Sequence, residues 1–322
     1  MDRSHAILEV LADGHFHSGE ILAKSLGVTR AAVWKKVRAL EKLGLAVFRV
    51  PGKGYRLADP LQLLDAAAIT AALSPACRAA LKGITVLDSV DSTNSWVAAR
   101  NQDPEVCFAE FQSAGRGRRG RGWVSPFGAN LYLSLSWRFD EWPPGFTALG
   151  MVTAIAAVRA LDSLGLSGVR IKWPNDLVAA DRKLGGVLID VQGEPPRATR
   201  AVIGLGVNVR MPAAAAREID QPWMDLATLA DGALPERNAI AAALVESLFD
   251  AMQDFAVRGF AAFSDDWQAL DLVIGRTVAL HSHDQTVTGV AAGVDAEGAL
   301  LLKTPQGMKR FVSGDISLRI AG

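Results

Sequence analysis

Residues 115–128 read Gly115-Arg116-Gly117-Arg118-Arg119-Gly120-Arg121-Gly122-Trp123-Val124-Ser125-Pro126-Phe127-Gly128, and the reading of this stretch decides which fold the middle of the chain can adopt. Gly115, Gly117 and Gly120 have the spacing of the GxGxxG dinucleotide fingerprint. That fingerprint needs a helix directly after it, whose N-terminus meets the pyrophosphate. Here Pro126 and Gly128 follow too soon for a helix to propagate. A P-loop is also excluded, because Trp123 stands where its lysine belongs after Gly117 and Gly122. The doubly wound nucleotide fold is therefore set aside. The chemistry remains: four arginines and four glycines in 115–122, with no acid among them. Glycines let backbone N–H groups approach an anion closely, and arginines add charge and bidentate hydrogen bonds. From these residues alone, a solvated RNA-contacting loop stays open as the plainer reading.

Outward from the loop, apolar patterning gives strands at 84–87, 106–111, 131–137, 169–172, 184–191 and 201–209. Helices are expected at 94–101, at 146–164 up to the stop at Gly165, and around 240–255. Strands precede helices instead of alternating with them, which predicts an α+β domain over 65–270, a mixed sheet covered by helices. Beyond it, 271–322 carries short alternating segments at 277–280, 286–294, 299–302, 309–312 and 316–320, separated by Gly and Asp turns. That spacing describes a small SH3-like β-barrel. His281 and His283 share a strand face there, but without a third ligand they make no metal site.

Residues 1–60 have a different character. Ile7, Leu8 and Leu11, then Ile21, Leu22 and Leu26, then Val33, Val37 and Leu40 give three short helical faces. Gly27 ends the second helix and Thr29 can cap the third. After Gly44, residues 46–50 alternate like a strand, Pro51-Gly52-Lys53-Gly54 turns, and the chain returns at 55–57. This is the pattern of a winged helix-turn-helix. From Arg30 to Arg56 there are eight basic residues against Glu41 alone, a net of +7, whereas 1–28 holds two basic and four acidic residues. Whole-chain neutrality thus conceals a polyanion-binding face. Arg30, Trp34, Lys35 and Arg38 lie off the apolar stripe of the third helix and are expected in the major groove, with Arg49 and Lys53 of the wing on phosphates.

With 322 residues, half of them hydrophobic and 21% charged, the chain has material for two or three globular domains. Cys77 and Cys107 are its only cysteines and fit a reducing compartment. Asp13, His15 and His17 interrupt any apolar leader, so a cytoplasmic protein with no membrane partner is expected.

Several ordered motifs give a more specific signal. GRGRRGRGW with SPFGANLYLSL, KWPNDL at 172–177, RKLGGVL at 182–188 and GLGVNV at 204–209 follow Asp91-Ser92-Thr93-Asn94 and Gln112. Together they resemble the biotin-protein ligase family, and with residues 1–60 the bifunctional ligases that double as biotin-operon repressors. The resemblance implies ATP-dependent formation of biotinyl-adenylate, with Mg2+, and transfer of biotin to a lysine of a carboxyl carrier protein. It also implies an operator-DNA partner, biotin as corepressor, and a homodimer promoted by the adenylate.

The implied residues follow motif by motif. Ser92, Thr93, Asn94 and Gln112, with Gly115, Arg116, Gly117, Arg118, Lys183 and Gly186, are assigned to biotin. Hydroxyl and amide groups suit its neutral ureido head, which both donates and accepts. Arg118, Arg119, Arg121, Trp123, Lys172, Asn175, Asp176, Lys183 and Asn208 fall on the ATP side, with Asp176 nearest magnesium. Lys183 and Arg118 are the catalytic candidates, because carboxylate and phosphate must meet there and a cation offsets their repulsion. Gly122 departs from the family pattern, where many members carry lysine. Asn175 and Asp176 could instead form a plain turn after Pro174, and Trp123 could be core. Two alternatives remain: lipoate as substrate, and a biotin-sensing repressor without catalysis. The Gly-Arg loop is expected to act as a lid over a water-sensitive anhydride.

Overall fold

Local capping and apolar faces set the N-terminal elements. In the computed structural model, which describes residues 5–193, 198–281, 286–312 and 317–320, helices α1 (His5–Leu11), α2 (Gly19–Ser25) and α3 (Arg30–Lys42) pack around Leu8, Leu22, Val33, Val37 and Leu40. The Ser18 and Thr29 hydroxyls accept the Ile21 and Ala32 N–H groups at 3.1 and 3.2 Å, so both later helices are capped. Strands β1 (Val47–Val50) and β2 (Gly54–Leu57) form the wing. A bridge from His17 to Tyr55 ties it back to the helices. Gly54 has φ +103°, and a Cβ there would sit 2.0 Å from the His17 carbonyl oxygen, so no other residue fits.

The central domain opens with α4 (Ala66–Ala72), α5 (Pro75–Ala80), β3 (Ile84–Leu87), α6 (Thr93–Ala98), β4 (Val106–Ala109), β5 (Leu131–Phe139) and α7 (Leu149–Ser163). It continues with β6 (Arg170–Lys172), β7 (Asp176–Ala179), β8 (Arg182–Gln192), β9 (Thr199–Val207), α8 (Ala213–Ala216), α9 (Leu226–Leu229), α10 (Arg237–Arg258) and α11 (Ser264–Leu270). Seven strands pair in the order β3-β4-β5-β9-β8-β7-β6, with β3 and β4 parallel and the rest antiparallel. The mixed sheet is thus as expected. Helices α7 and α10 bury Val152, Ile155, Leu244 and Leu248 in the same core as Leu133, Leu135 and Ile203 of the sheet. The segment 146–163 is apolar enough to cross a membrane by length and composition, but 72% of it is buried inside the protein as a core helix.

The structure contains elements that the sequence reading did not place: the helices α4, α5, α8, α9 and α11, and the strand β7. Helices α4 and α5 were not foreseen, since alanine-rich runs carry no apolar period. Their signals are the caps: Asp65 accepts Ala67 N–H at 2.7 Å, and Ser74 precedes Pro75 at the first helical position. Strand β7 was read only as a possible turn. The turn exists, with Asn175 N–H on the Lys172 carbonyl at 3.2 Å, but Asp176 already belongs to the returning strand opposite Lys172.

The C-terminal domain is a five-stranded antiparallel sheet, β10 (Thr277–His281), β11 (Thr286–Val294), β12 (Leu300–Thr304), β13 (Gly307–Phe311) and β14 (Ser317–Ile320), in the order β13-β12-β11-β10-β14. A register shift between Ala291 and Val294 bends β11. His283 and residues 313–316 lie outside the described residues.

The winged helix is docked on the central domain by a shared core. Phe127, from the segment following the Gly-Arg loop, is 2% exposed and packs with Leu57 of the wing domain, with Leu61 and Leu63 of the connection and with Phe111. Beside it the buried Glu110 carboxylate accepts Leu64 N–H at 2.5 Å and pairs with Arg237 at 2.9 Å. Arg237 also reaches the Asn130 carbonyl at 2.7 Å, so this buried pair is hydrogen-bonded as well as charged. Replacing Phe127 by alanine is expected to cost about 3–5 kcal/mol, as for other buried aromatics. Urea unfolding should then show the N-terminal domain melting first. An unchanged single transition would mean that Phe127 does not carry the junction.

Candidate functional site

Two adjoining cavities flank the Gly-Arg loop. The loop folds back on itself: Gly117 N–H bonds the Arg121 carbonyl and Trp123 N–H the Gly115 carbonyl, both at 2.8 Å, around a short turn at Arg118–Gly120. No helix follows, in line with the rejection of the dinucleotide fingerprint. A cleft of about 440 Å3 lies against it, lined by residues 114–122 with Leu188 and Asp190 of β8. The second cavity is lined by Gly122, Trp123, Val124, Lys183, Asn208 and Met211, with residues 218–221 and Trp223 beyond. Gly122 therefore walls both.

Near the first cleft, Ser92, Thr93 and Asn94 come together at the start of α6, each 4% exposed, with Gln112 at 9%. Gln112 Oε1 accepts from Thr93 N–H at 2.9 Å and faces its hydroxyl at 3.2 Å, while Gln112 Nε2 donates to Ser125 Oγ at 3.1 Å. Ser134 of β5 donates to Asn94 Oδ1 at 2.6 Å and lies 2.8 Å from Thr93 Oγ1. The glycines of the nearby motifs make room for this. A Cβ on Gly204 would meet Asn94 Oδ1 at 2.3 Å, and one on Gly115 would meet Ser125 Oγ at 2.7 Å.

At the second cavity, Trp123 lies on the bare backbone of β9, where a Cβ on Gly206 would stand 2.6 Å from its ring. Lys183 Nζ lies 5.6 Å from the Trp123 ring centroid and 2.6 Å from Asp176 Oδ1. Backbone pairing of Lys183 with the 222–224 segment brings Trp223 alongside. Gly186 sits opposite Asp176, and its missing side chain leaves the lysine 3.4 Å from where a Cβ would be. Lys183, Asp176 and Trp123 thus lie in one group.

The remaining candidates divide. Arg118 leans in and donates to Asn175 Oδ1 at 3.3 Å, whereas Arg119 and Arg121 are exposed on the rim. Asn175 donates its amide to the Val187 carbonyl and Asn208 to that of Met224 at 3.1 Å. Both thereby clasp backbone segments around the site. Lys172 is half-buried across from Asp176. Sequence reasoning missed Ser125, Ser134, Asp190 and Trp223. A signal existed for one of them: Asp190 is the single acid in the run GGVLIDV, whereas Ser134 shares its strand with Ser136, which is equally buried.

On the winged helix, Arg30, Trp34 and Arg38 are exposed at four-residue spacing along one face of α3, with Lys35 beside them. The Arg38 guanidinium stacks 5.3 Å from the Trp34 ring. Arg49 of the wing pairs with Glu41 at 2.5 Å, and Lys53 stands exposed at the wing turn.

Comparison with known proteins places the chain in a family. Family models match for an HTH domain at residues 3–56, the biotin/lipoate A/B protein ligase family at 86–208, and the biotin protein ligase C terminal domain at 273–319. The bifunctional ligase/repressor BirA of Salmonella typhimurium is 42% identical over 98% of this chain and 97% of its own length. The chain belongs to the bifunctional biotin ligase/repressor family. The Bacillus subtilis member is 32% identical over 95% of both chains. Among solved structures, the Aquifex aeolicus biotin protein ligase in complex with biotin and ATP is 26% identical, with TM-score 0.66, and covers 74% of this chain and all of that one.

Proposed function

We infer that this protein joins biotin to ATP as biotinyl-5'-AMP, transfers the biotin to a lysine of a carboxyl carrier protein, and represses transcription in response to biotin. The observation that carries the reading is the arrangement of Lys183 and Arg118 at two cavities that share the Gly122 wall. Biotin occupies the first, its ureido head toward Thr93, Asn94 and Gln112. Adenine occupies the second, between Trp123 and Trp223. The carboxylate and α-phosphate then meet near Lys183, whose ammonium offsets their repulsion as charge develops. Asp176 together with the nucleotide's phosphates would hold Mg2+, which would supply charge neutralisation on the phosphates. Asp176 keeps one oxygen beyond its Lys183 contact, and a single carboxylate plus phosphates is an ordinary Mg2+ environment.

Lipoate fits the site less well. Its dithiolane ring has no strong hydrogen-bonding groups to meet the buried amides and hydroxyls of this cleft, and unmatched buried polar groups are costly. A repressor without catalysis would have no use for Lys183 beside Asp176.

The protein acts in the cytoplasm, where its two unpaired, buried cysteines and its carrier substrate belong. The adenylate promotes a homodimer that sets two winged helices on an inverted repeat. In support, β7 pairs with β8 only up to Gly186, and among the described residues no strand covers the outer edge of β8 beyond it, where Val191 is 46% exposed.

The test uses labelled biotin, Mg-ATP and a carrier domain. Labelling of one carrier lysine together with biotin-dependent pyrophosphate exchange into ATP is the expected result. Absence of exchange at saturating biotin removes the enzymatic reading, and labelling by lipoate in place of biotin removes the substrate.

A further inference from the structure

We propose that Asp190 is a positioning residue that fixes the hydrogen-bond polarity of Asn94, Ser134 and Thr93 in the cleft assigned above to biotin, and so sets its specificity for a ureido head. The proposal rests on that assignment.

A single oxygen of Asp190, Oδ2, accepts from Arg116 Nη2 at 2.7 Å and from Asn94 Nδ2 at 3.1 Å. Its contacts extend into a chain of polar groups. Asn94 Oδ1 accepts from Ser134, which lies against Thr93. Thr93 faces Gln112 Oε1, Gln112 donates to Ser125, and Ser125 donates to the Trp123 carbonyl at 2.9 Å. Trp123 N–H returns to Gly115, the neighbour of Arg116. The chain therefore closes on the Gly-Arg loop at both ends, and it includes three of the four residues assigned to the biotin head.

Every other side chain between Asp190 and the Trp123 carbonyl can both donate and accept, because hydroxyls rotate and amides flip. A carboxylate only accepts. It thus obliges Asn94 to turn its NH2 toward β8 and its carbonyl toward Ser134. Ser134 must then spend its proton on Asn94 and is left to accept from the Thr93 hydroxyl, while the Thr93 N–H and the Trp123 carbonyl orient Gln112 and Ser125 at the far end of the chain. One acid thereby selects one of two opposite polarities for the Asn94, Ser134 and Thr93 side chains. The Arg116 ion pair holds the same carboxylate in place and ties the loop to β8. It is partly exposed, 46% for the arginine and 32% for the acid, so positioning rather than stability is its consequence.

Asp190→Asn keeps the shape and loses the obligation, because an amide can donate toward Asn94 as well as accept. In the full-length enzyme, pyrophosphate exchange should show a biotin KM raised about tenfold or more, the usual scale for losing a charge-assisted hydrogen bond, with kcat changed far less. Discrimination between biotin and 2-iminobiotin, whose ureido oxygen is replaced by a nitrogen donor, should narrow. Asp190→Glu restores an obligate acceptor and should recover most of the affinity and the discrimination. A biotin KM for Asp190→Asn within about twofold of the parent overturns the proposal, as does equal impairment by Asp190→Glu in a chain of unchanged melting temperature. Gln112→Ala is measured alongside. If it too leaves the biotin KM unchanged, the cleft is not the biotin site. If it raises the KM and Asp190→Asn does not, only the role of Asp190 fails.

Discussion

Replacing Lys183 by alanine is expected to lower biotin-dependent pyrophosphate exchange by about two to three orders of magnitude while the fold stays intact. The argument compares two environments. Among the described residues Lys183 makes one ion pair, with Asp176 at 2.6 Å, and both side chains keep about a quarter of their surface in water. A pair of that kind contributes at most about 1 kcal/mol to stability. In the reacting complex the same ammonium faces two anions with water displaced, where a single well-placed donor supplies roughly 3–4 kcal/mol. The same deletion therefore costs far more in rate than in stability. Arginine is a poor substitute, because Lys183 crosses the space left by Gly186, and a planar guanidinium is wider than an ammonium. Exchange kinetics and a thermal melt on one preparation decide the matter. Activity within about tenfold of the parent would reduce Lys183 to a partner of Asp176.

The second large effect is on DNA. Arg30, Lys35, Arg38, Arg49 and Lys53 are all exposed on one module, and a dimer presents them twice. If most of them neutralise phosphates, operator affinity should fall by about 10³–10⁵ between 50 and 200 mM salt through counterion release. Lys53→Ala should weaken binding to all sequences alike and flatten the salt slope by about one unit per copy. Changes at Arg38 or Trp34, on the recognition helix, should alter base preference instead. Filter binding or anisotropy with operator and scrambled duplexes, with and without biotin and ATP, reads all of this. A salt slope near zero would remove the winged helix as the DNA contact. Binding that ignores both ligands would leave the contact and remove the biotin switch.

How much could be read without coordinates differs from element to element. The winged helix was legible because its signals are local: the caps at Ser18 and Thr29, the turn at Gly27 and the basic run all act within a few residues. Strands β5, β8 and β9 were legible within two residues at each end, since long apolar runs between turns are strands over most of their length. Helices α4 and α5 were not, because their capped alanine runs owe their place to packing against α10. The motif residues could be picked out by type, but where each side chain points was not visible. Arg118 turns inward while Arg119 and Arg121 face solvent, and Asn175 and Asn208 hold backbone.

By itself the sequence determined the kind of protein this is. A glycine and arginine loop that cannot enter a helix, the ordered ligase motifs around it and a confined positive charge are properties of residue type and spacing, and no folding alters them. Tertiary structure alone decided which groups meet. Asp190 is 74 residues from Arg116 and 96 from Asn94, yet one of its oxygens binds both. Phe127 belongs by sequence to the ligase motif and by packing to the core of the DNA-binding domain. Hydrogen bonds and apolar contacts act over a few ångströms and take no account of chain separation, so only the three-dimensional fold could bring these partners together.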